Sequence, residues 1–295
     1  MMKRRHFLTY SLLFAVGCSS PKLKANTARD ASVKRPEKLR LAVTDVQGLA
    51  TLEADYGPFK QVLEETLELP IEFFPVENLV AAGPALLAGE VDLVFAGPSE
   101  YLILRARAEA EPVIEVTRPD YYCVIAVRAD SEIQSLTDLK GKTIAMRTEG
   151  ATAAHIWPTK LLLDAGLKIE DFQTTMLDDD GVNALVAGEV DAWADSSSRH
   201  ARFVEEAGAA EQVRIIVEGA SLPNDIFVAR STLDRSFIQD MQKRMVDNQT
   251  KLLGAMASTP ANSKYQQSTF ISAADDQYDE LRAVYQAIGQ EAVIQ

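Results

Sequence analysis

Hydroxyl groups and small side chains occupy three places where a predicted strand gives way to a predicted helix. These turns are Gly97-Pro98-Ser99, residues 148–154 and residues 195–198. The first amides of a helix lack partners within the helix, and together with the helix dipole they bind anions. The turns therefore predict a site for a small oxyanion. Its candidate ligand-binding residues are Ser99, Tyr101, Thr148, Gly150, Ala151, Thr152 and Ala153.

Acidic side chains lie at the ends of further predicted strands. Three of them are also candidate ligand-binding residues, namely Asp178, Asp195 and Asp225. A carboxylate binds a ligand amino group, or it accepts a hydrogen bond from an oxyanion that carries a proton. The alternative interpretation is helix capping in solvated turns. The sequence leaves both interpretations open.

No set of residues in the chain predicts catalysis. The three histidines, His6, His155 and His200, do not have metal-ligand spacing, and the sequence contains no Gly-x-Ser-x-Gly and no P-loop. We therefore expect no catalytic residue, no metal and no cofactor. Cys123 lies in an apolar run and is expected to be a buried small hydrophobe. A thiol that contacts the ligand is the less favoured alternative.

A repeated segment suggests how the chain is organised. Leu86-Leu-Ala-Gly-Glu-Val-Asp92 and Leu185-Val-Ala-Gly-Glu-Val-Asp191 share six identical positions at a separation of 99 residues. In each copy a predicted helix ends at a glycine, which suits a left-handed C-terminal cap, and a strand follows. The repeat predicts two similar α/β lobes of ~100 residues with a cleft between them. A common turn that arose twice by chance is the alternative.

The order of predicted elements assigns the chain to an α/β fold with two lobes. Alternating strands and helices predict a mainly parallel sheet flanked by helices in each lobe. Residues 39–125 and 226–295 are expected to form lobe one, and residues 126–225 lobe two. Two hinge strands, near residues 122–128 and 221–230, would join the lobes and let the cleft close.

The N-terminus reads as an export signal over residues 1–18. Arg4-Arg5 is a twin-arginine pattern followed by a short apolar run, and the sequence before Cys18 resembles a bacterial lipobox. Lipidation at Cys18 would make the protein a lipoprotein held at the membrane only by that anchor. An ordinary cleaved signal peptide is the alternative. Residues 19–38 are expected to be a flexible tether, and the mature protein is expected in the periplasm or at the cell surface.

Composition limits the partners. The chain has 295 residues, 47% of them hydrophobic, which is enough for a sizeable core. A net charge of −13 argues against nucleic acid and against an anionic membrane surface. It leaves a small anion possible because helix N-termini need no net positive charge. We expect a monomer.

Several segments resemble one protein family. Residues 91–101, 122–130, 135–145 and 222–228 are similar to the phosphonate/phosphite/phosphate-type substrate-binding proteins of ABC transporters. The resemblance extends over roughly residues 39–290. It implies the type II periplasmic-binding-protein fold, a small-molecule ligand in the cleft between lobes, and delivery of that ligand to an ABC permease. Tyr101, Thr152 and Asp225 match the family's ligand-binding positions.

The sequence also departs from the family pattern. Phosphonate-binding members have Ser-Thr-Ser-Gly where this chain has Ala151-Thr152-Ala153-Ala154, and a histidine where Asp178 stands. Loss of these hydrogen bonds would weaken oxyanion binding by ~2–5 kcal/mol. A neutral, zwitterionic or cationic solute is therefore the alternative ligand. A signalling receptor or an enzyme on the same fold is the alternative role.

Overall fold

The computed structural model describes residues 34–78 and 81–295. The predicted export signal, Cys18 and most of the tether lie outside the described residues. So do Leu79 and Val80, with which the helix predicted from the sequence over residues 79–88 begins. Within residues 34–78 and 81–295, none of the helices has both the length and the apolar character needed to cross a membrane.

Helices and strands alternate along the described chain. The helices are α1 (Leu49–Leu67), α2 (Ala82–Leu87), α3 (Pro98–Ala108), α4 (Trp157–Asp164), α5 (Gly181–Ala187), α6 (Ser197–Glu206), α7 (Arg235–Asp247), α8 (Gln249–Met256) and α9 (Asp279–Ala287). The strands are β1 (Leu39–Val43), β2 (Ile71–Phe73), β3 (Leu93–Ala96), β4 (Glu111–Val116), β5 (Tyr122–Arg128), β6 (Thr143–Met146), β7 (Gln173–Met176), β8 (Ala192–Ser196), β9 (Val213–Ser221), β10 (Asp225–Ala229) and β11 (Phe270–Ser272).

The strands form two sheets. The first has the order β11-β4-β10-β3-β1-β2, and the second has the order β7-β6-β8-β5-β9. In each sheet the strands joined by crossover helices are parallel, whereas the strands near the crossings pair antiparallel. The α/β class with two lobes agrees with the prediction. The sheets are mixed rather than mainly parallel, because chain segments that cross between sheets return in the opposite direction.

The chain passes twice between the sheets. Residues 117–121 lead from β4 to β5, and residues 222–224 lead from β9 to β10. All of β5 belongs to the second sheet, where it pairs with β8 and β9. The first crossing therefore precedes Tyr122, and the boundary predicted at residues 125 and 126 falls inside a strand. An apolar run does not reveal by itself which sheet it will join.

The repeated segment has the same structural role in both sheets. Gly89 and Gly188 have positive φ angles of 70° and 78°, as the predicted helix ends require. Asp92 accepts from the backbone amide of Arg40 in β1, at 3.0 Å. Asp191 accepts from the equivalent amide of Thr143 in β6, at 2.9 Å. Each repeat thus connects a helix end to the start of the neighbouring parallel strand.

Apolar spacing explains how α1 packs on the first sheet. Its buried residues recur at intervals of three and four, which places them on one face. They are Leu52, Tyr56, Phe59, Leu63 and Leu67. Phe59 stacks on Phe227 of β10 with ring centroids 5.6 Å apart, and Phe95 of β3 continues the stack at 4.4 Å. Helices α7 and α8 pack on α1, so the C-terminal helices cover the first sheet as predicted.

The sequence predicts helices over residues 236–256 and 151–165, the second with a kink at Pro158, and both differ in detail from the structure. The helix expected over residues 236–256 divides at Asn248 into α7 and α8. The helix expected over residues 151–165 begins with a π-helical turn at Thr152–Ile156, and Pro158 lies in the first turn of α4 rather than at a kink. Cys123 is fully buried in β5, as predicted, and burial raises the pKa of its thiol well above the ordinary value.

Candidate functional site

A cavity lies where the carboxyl ends of parallel strands from both sheets meet. The segments after β1 and β3 line it from the first sheet, and those after β6 and β8 line it from the second. Residues of the first crossing and of the segment Pro260–Tyr265 complete the wall. Ligands of open α/β sheets bind at such strand ends. This is therefore the candidate functional site.

The turn after β6 supplies one wall. Ala151, Thr152 and Ala153, all predicted site residues, line the cavity together with Ala154. The carbonyl of Ala151 accepts from the amides of His155 and Ile156, so the amides of residues 152–154 form the N-terminal end of the π-helical turn. The amides at such an end have no acceptor one turn earlier in the helix. Small side chains leave that end accessible.

Thr152 joins the two sides of the cleft. Its hydroxyl accepts from the Ser99 amide at 3.1 Å and donates to the Ser99 hydroxyl at 2.9 Å. Ser99 is fully buried by this contact at the start of α3. Its amide, which was expected to serve the ligand, is therefore bonded to the protein. The contact links the start of α3 to the turn after β6.

Four cations line the cavity, and the sequence analysis missed all of them. They are Arg118, Arg147, Arg199 and Lys264. They come from the first crossing, from the residue after β6, from the first turn of α6 and from the Pro260–Tyr265 segment. Each comes from a different segment of the chain. Only the fold brings them together, and no local motif marked them.

Three carboxylates pair with these cations. Asp225 lies 3.3 Å from Arg118 and accepts from the Tyr265 hydroxyl at 2.6 Å. Asp195 lies 3.1 Å from Arg199. Both were predicted site residues, and both line the cavity. Charge-assisted pairs of this kind fix the orientation of the guanidinium groups.

Asp45 is the third carboxylate. It forms an ion pair with Arg147 across the cleft, and it lies 3.4 Å from the Lys264 ammonium. Burial opposes ionisation of this side chain, but Arg147 and Lys264 outweigh that effect and hold the pKa of Asp45 well below its usual value. The carboxyl is therefore ionised at neutral pH. Four basic side chains thus line the cavity, and three aspartates pair with them.

Glu100 also lines the cavity but carries no charge at neutral pH. Its side chain is buried in the first turn of α3, and burial raises the pKa of its carboxyl to about 8. One carboxyl oxygen has no hydrogen-bond partner within residues 34–78 and 81–295. The sequence analysis did not single out this residue, because a glutamate near a helix start usually caps the helix in solvent.

The other predicted residues lie outside the cavity. Thr148, Gly150 and Asp178 line a neighbouring outer groove, with Arg147 at the boundary between the two spaces. Asp178 forms an ion pair with Arg147 at 3.2 Å and is largely exposed. Tyr101 is fully buried behind the cavity, donates to Asp275, and packs on Tyr278. The rotation of α3 about its own axis sets the direction of the Tyr101 side chain. A sequence motif does not encode that rotation.

His155 has a structural role in this geometry. Its Nδ1 accepts from the Gly150 amide at 3.0 Å, and the ring is buried. Burial lowers the pKa of His155, so the ring is neutral at physiological pH. It therefore orders the turn after β6 without adding charge.

Replacing Thr152 with valine tests the contact across the cleft. We expect ligand affinity to fall about fivefold, corresponding to about 1 kcal/mol, because one hydroxyl with its two hydrogen bonds is lost at nearly constant volume. Calorimetric titration measures the change. Thr159→Val is the matched control, since its buried hydroxyl donates to the His155 carbonyl in α4 and lies outside the cavity. Equal affinities of the two variants would contradict the assignment.

The sequence is similar to those of known components of ABC transporters. A family model described as "ABC transporter, phosphonate, periplasmic substrate-binding protein" matches residues 41–278. The phosphate-import protein PhnD of Mycolicibacterium smegmatis is 29% identical over 163 residues, which cover 52% of this chain and 50% of that protein. The probable ABC transporter phosphite binding protein PhnD1 of Prochlorococcus marinus is 26% identical over 184 residues, covering 59% of this chain and 58% of that protein. The matches thus span between half and three fifths of these relatives.

The fold is also shared with a solved structure. PhnD1 of Prochlorococcus marinus in complex with methylphosphonate superposes with a TM-score of 0.71 at 17% identity. The superposition covers 87% of this chain and all of that one. At that level of identity the likeness concerns the arrangement of the two sheets and the cleft between them.

Proposed function

The chain belongs to the family of phosphonate-type periplasmic substrate-binding proteins of ABC transporters, and we propose that it delivers a phosphonate, phosphite or phosphate-like oxyanion to an ABC permease. Relatives named for phosphate import and phosphite binding support this ligand class. The proposed role is binding without turnover. In this proposal the protein acts as a monomer and needs no cofactor or nucleic acid.

The excess of cations in the cavity is the observation that carries the proposal. Arg118, Arg147, Arg199 and Lys264 outnumber the three aspartates that pair with them. An oxyanion would compensate that charge and accept from the amides that begin the π-helical turn. The planar guanidinium groups suit the oxygens of a tetrahedral anion. The proposed ligand-binding residues are therefore the four cations together with Ala151, Thr152, Ala153, Asp195 and Asp225.

We further propose that the two sheets are the cores of two lobes that close on the ligand. The hinge would consist of residues 117–121 and 222–224, which connect the sheets. Closure would form the Thr152 contact with Ser99 and the Arg147 ion pair with Asp45. Small-angle scattering should give a smaller radius of gyration with saturating ligand than without it. An unchanged radius would contradict the hinge.

We also propose that the protein is exported and held by a lipid anchor, in agreement with the periplasmic role of the family. The twin-arginine pattern at Arg4-Arg5 and the lipobox-like sequence before Cys18 support export with a lipid anchor. The predicted location is the periplasmic space or cell surface, with Cys18 at the membrane. Metabolic labelling with a fatty acid should mark the wild type, and label retained by Cys18→Ala would contradict anchoring at this residue.

A thermal-shift screen tests the ligand class. Methylphosphonate, phosphite and phosphate are compared with methanesulfonate, amino acids and small amines. A ligand at ~100 times its dissociation constant adds ~2.7 kcal/mol of stability, which raises the unfolding temperature by a few degrees. Stabilisation by an amine or a neutral solute, with none by phosphorus oxyanions, would overturn the proposal in favour of the alternative ligand class.

A further inference from the structure

The side chain of Glu100 differs from every other acidic group in the cavity. Asp45, Asp195 and Asp225 are each bonded to a cation. No ion pair involves Glu100 among residues 34–78 and 81–295. The residue is only 6% exposed, so its carboxyl is withdrawn from solvent. An isolated carboxyl in such a place is more stable as the neutral acid.

The surroundings of Glu100 reinforce this state. Burial is the main effect that raises the pKa of Glu100, and the negative charges of Asp45 and Asp225 add to it. The backbone amide of Glu100 itself and the cation Arg147 oppose the shift but do not cancel it. These groups come from α3, from the segment after β1, from β10 and from the segment after β6. At neutral pH the carboxyl therefore retains its proton.

The position of the carboxyl makes that proton available to a ligand. Glu100 lines the cavity, and its Oε2 is buried without a partner in the described part of the chain. The Thr44 hydroxyl lines the same cavity and is likewise buried without a partner in the described residues. Buried polar atoms are nearly always hydrogen-bonded. Two of them on one wall indicate groups that a bound molecule would satisfy.

We propose that Glu100 binds the ligand as a neutral carboxylic acid and donates a hydrogen bond to an unprotonated oxygen of the oxyanion. This inference rests on the proposed function and specifies the ligand further. A neutral acid adds a hydrogen-bond donor without adding a negative charge that would repel the oxyanion. The Thr44 hydroxyl provides a second donor on the same wall. Oxyanion oxygens that carry no proton are the acceptors that both groups require.

Gly97 provides the space that this arrangement needs. A Cβ atom at Gly97 would lie 2.7 Å from Oε2 of Glu100, closer than atoms tolerate. The φ angle of Gly97 is −73°, which any residue adopts. Gly97→Ala therefore displaces the carboxyl by contact alone. It is expected to weaken oxyanion binding without straining the backbone.

Glu100→Gln tests the proton directly, with methylphosphonate as the probe in calorimetric titrations across pH. Between about pH 6 and about pH 9 the affinity of the wild type should fall about tenfold relative to that of the variant, because the acid ionises at about pH 8. At about pH 6 the wild type should bind about threefold to tenfold more tightly than the variant, since a carboxamide donates more weakly than a carboxylic acid, and this advantage should be lost at about pH 9. Ionisation of the ligand itself affects both proteins equally and cancels in the ratio.

Glu109→Gln is the matched control because Glu109 is exposed at the other end of α3. Its pH profile should follow the wild type. Thermal unfolding confirms that each variant is folded, and Gly97→Ala gives a second route to the same group. Parallel pH profiles for the wild type and Glu100→Gln would overturn this inference alone. Absence of binding of any phosphorus oxyanion by the wild type would overturn the proposed function and this inference with it.

Discussion

Arg118→Met should lower the free energy of unfolding by about 3–5 kcal/mol, because it leaves Asp225 buried with no cation. The side chain of Arg118 is 9% exposed and that of Asp225 is 6% exposed. Burial alone would lower the pKa of Arg118, but the neighbouring Asp225 outweighs it and raises the pKa above its usual value. The guanidinium also lies 3.5 Å from the centre of the Tyr121 ring. Chemical denaturation monitored by tryptophan fluorescence measures the loss.

The same substitution should weaken methylphosphonate binding by about 10- to 100-fold, since a hydrogen bond to a charged group contributes ~1.5–3 kcal/mol. Arg128→Met is the control, because Arg128 pairs at the surface with Asp130 and lies outside the cavity. It should change stability by no more than ~1 kcal/mol. A double-mutant cycle with Asp225→Asn isolates the pair. A coupling energy near zero would refute the assignment of Arg118 and Asp225 as a buried unit.

Arg147→Met should weaken binding about 100-fold while changing stability less than Arg118→Met, because Arg147 is partly exposed at the cleft. Its side chain is 17% exposed and forms ion pairs with Asp45 and Asp178. The substitution removes one cation from the cavity and the ion pair that spans the cleft. Calorimetric titration measures the affinity, and scattering without ligand should show a larger radius of gyration than that of the wild type.

Two further variants sharpen this test. Arg147→Lys retains the charge but loses the planar fork, so it should recover part of the affinity. Arg107→Met is the control, because Arg107 lines the outer groove and not the cavity. It should bind within about twofold of the wild type, a difference below ~0.5 kcal/mol. Equal losses from Arg107→Met and Arg147→Met would mean that the ligand occupies the outer groove instead.

Local signals in the sequence accounted for much of the fold. The glycines at 89 and 188 require left-handed backbone at the ends of two helices, and the structure has it at both. The apolar spacing along residues 55–68 predicted a helix that packs by one face, as α1 does over Leu49–Leu67. These features depend on neighbouring residues and on periodicity, so they can be read without knowing the partner. The sheet that β5 joins depends instead on its pairing with β8 and β9, which are distant in sequence.

Part of the candidate site could also be predicted from local sequence. The small residues Ala151, Thr152 and Ala153 begin a helical turn after a strand, and the parallel connection brings such turns to one edge of the sheet. Asp195 and Asp225 reached the cavity for the same reason, since both lie at strand ends. Tyr101 and Ser99 do not line the cavity, because the direction of a side chain on α3 follows from how that helix packs.

The sequence by itself determined the two similar α/β units, the strand-end turns and the small residues that open them, because each follows from backbone preference and periodic burial. Only the tertiary structure decided the charge of the cavity. Arg118, Arg147, Arg199 and Lys264 come from four separate segments of the chain, and Glu100 resembles an ordinary helix-capping acid. Their burial and pairing come from segments that are far apart in sequence, and it is burial and pairing that set which of these groups are charged.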